Sequence, residues 1–289
     1  MTLSTKTDNQ ERINHIMSER WIGYPKAIEV LQQMDYLMAH PKTYRPQSML
    51  LVAKTGNGKS LLLHRFFDAN KPLVSSETTH VKIPVLYIQA PAVPNEKAFY
   101  CNILHALNTP FHVHSTAVQL HYQVIRVLQK VETQILIIDE IHHILAGSYL
   151  SQRAFLNLIK YISNELQLVI IGAGVREAYS AISTDGQLAS RFEPVALPTW
   201  KLDGDYYRLL KSFETMFPLQ EKSNLTQEDL AIKILSISGG TIGEISNVLK
   251  KAAVKAIQTG HESIDLALLN KLGYCSAATR QKQYEDMPI

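Results

Sequence analysis

Ser48-Met49-Leu50-Leu51-Val52-Ala53-Lys54-Thr55-Gly56-Asn57-Gly58-Lys59-Ser60 decides the fold. A short apolar run that meets glycines at once reads as a buried parallel strand entering a phosphate loop. Residues 53–60 match GxxxxGK[ST] except that Ala53 stands where the first glycine is usual, and alanine is small enough to keep the turn. Gly56 and Gly58 let backbone N–H groups wrap phosphate oxygens, Lys59 neutralises charge on the β- and γ-phosphates, and the Ser60 hydroxyl binds Mg2+. The leucine-rich stretch that follows, 59–67, is a helix whose N-terminal dipole adds positive potential. Thr55, Asn57 and Leu61 complete the predicted nucleotide-binding stretch. The plain alternative is a glycine-rich turn that happens to precede Lys-Ser; the apolar strand before it and the helix after it speak against that.

Further buried strands are predicted at 83–89, 134–139 and 166–172, with a weaker one at 193–197, separated by helical stretches long enough for right-handed crossovers. The fold class that follows is α/β, a doubly wound parallel sheet with ligands at the carboxyl ends of its strands. Ile135-Leu136-Ile137-Ile138-Asp139-Glu140 ends one strand in two adjacent carboxylates. Alternation of side chains predicts that Asp139 reaches a metal while Glu140 faces an attacking water. An Asp-Glu pair at a strand end is by itself more often a solvated cap; downstream of a phosphate loop it reads as metal ligand and catalytic base. The acidic motif is not the DxxG of GTPases and no NKxD stretch occurs, so the predicted ligand is ATP with Mg2+.

Hydrolysis in such enzymes is often completed by an arginine from a neighbouring subunit. Arg191 is the candidate, in a position that could face outward across an interface, with Arg153 and Arg176 as rivals and a surface ion pair as the plain reading. His142 and His143 follow the acidic pair; with no further ligands at metal-site spacing they read as packing residues. The turn 21–25 contains Tyr24, which either staples the core or pads an adenine ring.

Outside these motifs the chain is ordinary. Its 289 residues allow about two domains, and 46% hydrophobic against 19% charged residues supports a core. A net charge of +3 is too small for whole-molecule attraction to nucleic acid, so any basic footprint is local. Two cysteines, Cys101 and Cys275, without CxxC spacing suggest neither disulfide framework nor zinc site and fit a reducing cytoplasm. The polar N-terminus has no signal-like apolar core and no later stretch spans a membrane. The predicted division is an arm at 1–20, mobile over about its first 12 residues, an ATP-binding α/β domain at 21–200, an all-helical domain at 201–275 with helices at about 203–217, 226–237, 241–259 and 263–272, and a loose tail at 276–289.

Together, Arg20-Trp21-Ile22-Gly23-Tyr24-Pro25-Lys26-Ala27, the run 51–60, Asp139-Glu140-Ile141-His142 and Gln187-Leu188-Ala189-Ser190-Arg191-Phe192-Glu193-Pro194 resemble the TniB family of AAA+ transposition proteins, similar to the TnsC regulators, over residues 12 to 253. The resemblance implies an AAA+ core with strand order 5-1-4-3-2, a helical lid, and ATP-dependent self-assembly into a ring or helical filament on duplex DNA. It also implies contacts with a DDE transposase and a TniQ-type targeting protein, and strengthens Arg191 as the residue acting in trans. DNA contacts are expected in the loop and helix after the second strand, where Lys97 and Thr116 are the candidates; without the resemblance, Lys97 reads as an exposed first-turn residue. Two departures bear on hydrolysis: Gly174-Val175 stands where relatives carry Gly-Thr, and the segment 240–244 offers no sensor arginine. Other readings of the same core are a helicase loader or insertion-sequence helper, and a nucleotide-dependent scaffold that does not hydrolyse.

Overall fold

The computed structural model describes residues 3–74, 81–277 and 279–280. Helices α1 (Leu3–Met17) and α2 (Pro25–Ala39) precede strand β1 (Ser48–Ala53), which feeds α3 (Lys59–Ala69) through the glycine loop. Then come β2 (Val85–Gln89), α4 (Glu96–Ala106), α5 (Ala117–Lys130), β3 (Ile135–Asp139), α6 (Tyr149–Leu166), β4 (Val169–Gly174), α7 (Arg176–Ser183), α8 (Gly186–Ala189) and β5 (Phe192–Leu197). A two-residue antiparallel pairing of Leu73–Val74 with Val81–Lys82 stands apart from the main sheet. Four helices close the chain: α9 (Gly204–Met216), α10 (Glu228–Ser238), α11 (Ile242–Thr259) and α12 (Leu266–Lys271).

The chain forms two compact units, one from 26 to 197 and the other from the described residues on either side of it. In the first, five strands pair in parallel in the order β5-β1-β4-β3-β2. This is the 5-1-4-3-2 arrangement of an AAA+ core. Ile135, Leu136, Ile137 and Ile138 of β3 are wholly buried, as are Met49, Leu50 and Leu51 of β1. Both faces of these strands are covered, which is why they read as unbroken apolar runs, and each such side chain contributes about 1.5–3 kcal/mol. The strand expected at 166–172 starts later and runs to Gly174, because Leu166 still belongs to α6 and Gln167, at φ 51°, closes that helix in the left-handed region. The weak candidate at 193–197 is a full partner of β1, from Ser48↔Phe192 to Ala53↔Leu197.

In the second unit α9 to α12 pack around Tyr206, Phe213, Ile245 and Leu249. The arm expected before residue 20 is instead a helix of this unit: Ile16 is buried in its core and Ile13 packs against it. The physical reason is a short apolar face together with Arg12, whose guanidinium pairs with the Glu262 carboxylate and donates to Pro218 O at 2.9 and 2.7 Å. Residues 281–289 of the expected tail lie outside the described residues. Among the described residues no helix is long and apolar enough to cross a membrane.

The Arg12 hydrogen bond holds the Glu262 carboxyl below its usual range. The folded protein therefore loses that proton more readily than the unfolded chain. The stabilisation is complete above the ordinary carboxylate pKa of about 4.3 and fades as pH falls through the depressed folded value. Arg12→Ala is expected to cost about 1–3 kcal/mol at pH 7, read by urea unfolding, and distinctly less near pH 3. An equal cost at both pH values would mean that packing, not the ion pair, is what Arg12 contributes.

Candidate nucleotide site

The parallel register brings the loop after Ala53, the acidic end of β3 at Asp139 and the end of β4 at Gly174 to one edge of the sheet. Open α/β sheets bind ligands at that edge. The loop turns on Gly56 at φ 73° and Gly58 at φ 85°, values that favour glycine. Ala53 is not among the residues with positive φ and stays in the strand, so alanine in place of glycine brings no backbone strain. The buried Asn57 amide donates to Leu197 O at 2.9 Å and ties the loop to β5.

Lys59 is the first residue of α3 and is almost wholly buried. Its Nζ donates to Ala53 O at 3.0 Å and Lys54 O at 3.3 Å, inside the curl of the loop. Burial pushes the ammonium pKa below its usual value, and the carboxylates of Glu140 and Asp139 pull it back. A desolvated cation held by carbonyls of a glycine-turned loop, within the field of two carboxylates, is suited to a polyanion.

Asp139 is 3% exposed, and each of its oxygens is engaged. Oδ2 accepts from Ser60 Oγ and from Tyr87 OH, both at 2.7 Å, and Oδ1 accepts from the Glu140 N–H at 2.8 Å. Ser60 and Asp139 thus face each other with hard oxygen donors, the ligand chemistry Mg2+ takes. Burial and the Asp139 contact raise the Tyr87 pKa, so its phenol stays a donor. The Tyr87 ring stacks on His64 at 4.3 Å. Sequence reasoning missed Tyr87; the available signal was a polar-tipped residue on the strand flanking the acidic one.

Glu140 is not aimed by strand alternation, as the sequence reading assumed. It lies just past β3 with φ 53° and ψ 36°, and a 3-10 turn, Ile141–Ala146, follows it. A left-handed backbone costs a non-glycine residue roughly 1–2 kcal/mol, and such strain clusters at functional sites. The turn sets the Glu140 carboxylate beside His142, whose Nδ1 lies 3.1 Å from Oε2.

The remaining candidates fall elsewhere. Arg191 stands at the opposite edge of the sheet: its carbonyl accepts from Ser48 N, the first residue of β1. The strand puts about 17 Å between the two edges, so Arg191 cannot serve the loop of its own chain. It is also buried, at 9% exposure, rather than facing outward, with Nη1 on the Asn164 amide oxygen at 2.5 Å. Burial and the nearby Arg45 charge lower its pKa. Of the rivals, Arg153 lies over the Tyr149 ring at 5.7 Å and Arg176 opens α7 at the loop's own edge. Lys97 is half-buried in the first turn of α4. Thr116 is the N-cap of α5 in a reciprocal capping box with Gln119, which accounts for a threonine there without any ligand. Tyr24 meets Trp200 edge-on at 5.0 Å in the helical unit, and burial pushes its phenol up to about 12.

Among known families, the one described as bacterial TniB protein matches residues 12–202. The chain belongs to the TniB family. A search of curated proteins finds no match. Among solved structures, this TniB-family chain is similar to the Aeropyrum pernix ORC2 protein in its ADPNP–ADP complexes, with a TM-score of 0.66 and 15% identity over 95% of this chain and 74% of that one. The ORC1 protein of the same organism, in complex with DNA, gives 0.61 and 15% over 90% and 68%. The Thermotoga maritima RuvB Holliday junction branch migration motor gives 0.54 and 15% over 89% and 72%. At such identities the likeness is one of fold: a P-loop α/β unit of the AAA+ type and an all-helical unit.

Proposed function

We propose that the protein is an ATP-dependent regulator of DNA transposition that assembles on duplex DNA with ATP bound, links target selection to the transposase, and comes apart on hydrolysis. The observation that carries the nucleotide half is the 2.7 Å contact of Ser60 with Asp139 beside the buried Lys59. Membership of the TniB family supports the transposition half, and the fold shared with a DNA-bound ORC1 supports the association with DNA.

In this reading 53–60 cradles the phosphates, with Thr55, Gly56, Asn57, Gly58 and Leu61 around them. Ser60 and Asp139 would hold Mg2+, which would neutralise charge on the phosphates. Lys59 turns its ammonium from loop carbonyls to the γ-phosphate. Glu140 takes a proton from water as the water oxygen attacks the γ-phosphorus and the bond to the bridging oxygen breaks, leaving ADP and phosphate. Arg191 of one subunit completes the site of the next. Lys97 and Thr116 face duplex DNA, with many weak contacts adding along a filament. A DDE transposase and a TniQ-type protein are the partners.

The test is anisotropy of a fluorescent duplex without nucleotide and with ADP, ATP or a non-hydrolysable analogue, against a single strand of equal length. Tight duplex binding only with ATP or the analogue is expected; preference for the single strand would instead favour a loader. Lys59→Ala is expected to weaken ATP binding by 100-fold or more, about 2.7 kcal/mol or above, and to abolish ATP-dependent duplex binding. Assembly that survives this change would undo the role of the loop. A second reading, a switch that does not hydrolyse, is favoured by Val175 where a polar residue is usual; steady-state turnover with DNA separates the two.

A further inference from the structure

The 3-10 turn after β3 gathers three metal-ligating side chains that the spacing alone did not connect. Glu140, His142 and His143 are each half-buried, and the ligand atoms they offer all lie within 4.8 Å of one another. Glu140 Oε2 and His142 Nδ1 are 3.1 Å apart, and the two imidazole rings are 5.0 Å apart, tilted by 57°. His142 Nδ1 is shut off from solvent and has no hydrogen bond in good geometry, the nearby carboxylate included. A buried nitrogen left so is costly and calls for an explanation. His143 Nδ1 sits 3.4 Å from Ala90 O. That contact favours the proton on Nδ1 and leaves the Nε2 lone pair free, as in metal-bound imidazoles whose other nitrogen is held by a carbonyl.

We propose that Glu140, His142 and His143 form a site for a divalent cation of the zinc class, and that metal bound there withdraws Glu140 from ATP hydrolysis. Two imidazoles and one carboxylate are a donor set zinc takes, whereas Mg2+ prefers oxygen alone. Tetrahedral zinc with bonds of about 2.0–2.1 Å sets its ligand atoms about 3.3 Å apart. The Glu140–His142 pair already has that spacing, and side-chain rotation of His143 closes the rest. A carboxylate committed to the metal cannot accept a proton from water, while the phosphate loop still binds ATP. The binding half stands on the three side chains; only the inhibitory half rests on Glu140 being the base.

The two halves are tested separately on the full chain. Without nucleotide, Zn2+ is titrated in competition with a chromophoric chelator, and Co2+ is added to read coordination from its visible bands. One Zn2+ per chain with a micromolar or tighter Kd is expected, weakened at least tenfold by His142→Ala and by His143→Ala; His143→Gln serves if an alanine variant misfolds. No stoichiometric binding, or binding unchanged in the histidine variants, overturns the site. Turnover is then followed in excess Mg2+ with and without saturating Zn2+. A fall of tenfold or more, reversed by a zinc-selective chelator and without loss of ATP binding, is expected; undiminished turnover with zinc bound overturns the inhibition. Normal turnover by Glu140→Gln would point to a wrongly assigned base, and leaves the zinc titration to decide the site.

Discussion

Glu140→Gln is expected to lower ATP turnover by about 10²–10⁴-fold, the usual contribution of a positioned general base, while ATP binding changes by no more than a few-fold. Glutamine keeps the size and left-handed turn of Glu140 but cannot take a proton from water. The carboxylate of Asp139 keeps its three hydrogen bonds, since that from residue 140 comes from the backbone. Duplex binding in ATP is therefore expected to persist and to outlast that of the wild type, because the step that dismantles the assembly is removed. Turnover and duplex lifetime, measured on the same preparation, check both sides. If turnover is unchanged, the proton goes elsewhere; if ATP binding is lost as well, Glu140 is holding the loop together rather than serving chemistry.

The largest expected effect belongs to Arg191. An arginine supplied to the γ-phosphate from a neighbour contributes about 10³–10⁵-fold, so Arg191→Ala is expected to lower DNA-stimulated turnover by about 10³-fold or more. The side chain is buried on Asn164, so part of any loss could come from misfolding, and a mixing experiment separates the causes. A Lys59→Ala subunit has an intact Arg191 and a dead loop; an Arg191→Ala subunit has the reverse. Neither is expected to turn over ATP appreciably alone, and a mixture is expected to regain turnover at the interfaces where the good arginine meets the good loop. No recovery on mixing, with both proteins folded by circular dichroism, would exclude action in trans. Because the sheet separates Arg191 from its own loop, action within one subunit is already ruled out by distance.

The parallel sheet was legible because its central strands are buried on both faces. Residues 48–52 and 135–138 are apolar without a break, and no amphipathic alternative competes with that pattern. Helix α1 was not legible: its sequence is polar, and the residues that bury it, Ile13 and Ile16, join a core built mainly by the helices at the other end of the sequence. What aims Glu140 was misread for a different reason. Alternation predicts side chains only while the strand lasts, and β3 ends at Asp139. The contact of Tyr87 with Asp139 depends on which strand lies beside β3, which is decided by sheet order and not by local spacing.

The clasp between α1 and Glu262 sets an order of events during synthesis. Arg12 is made 250 residues before its partner, and Ile16 waits for helices that begin only at Gly204. Residues 26 to 197, a unit in their own right, are complete while α1 still has nothing to pack on. An isolated 15-residue helix is marginal in water, and closing so long a loop carries an entropic cost that grows only slowly with length. Helix α1, made before the helices it packs on, is thus among the last elements to settle, and until it does its apolar face is open to whatever chaperone or partner reaches it.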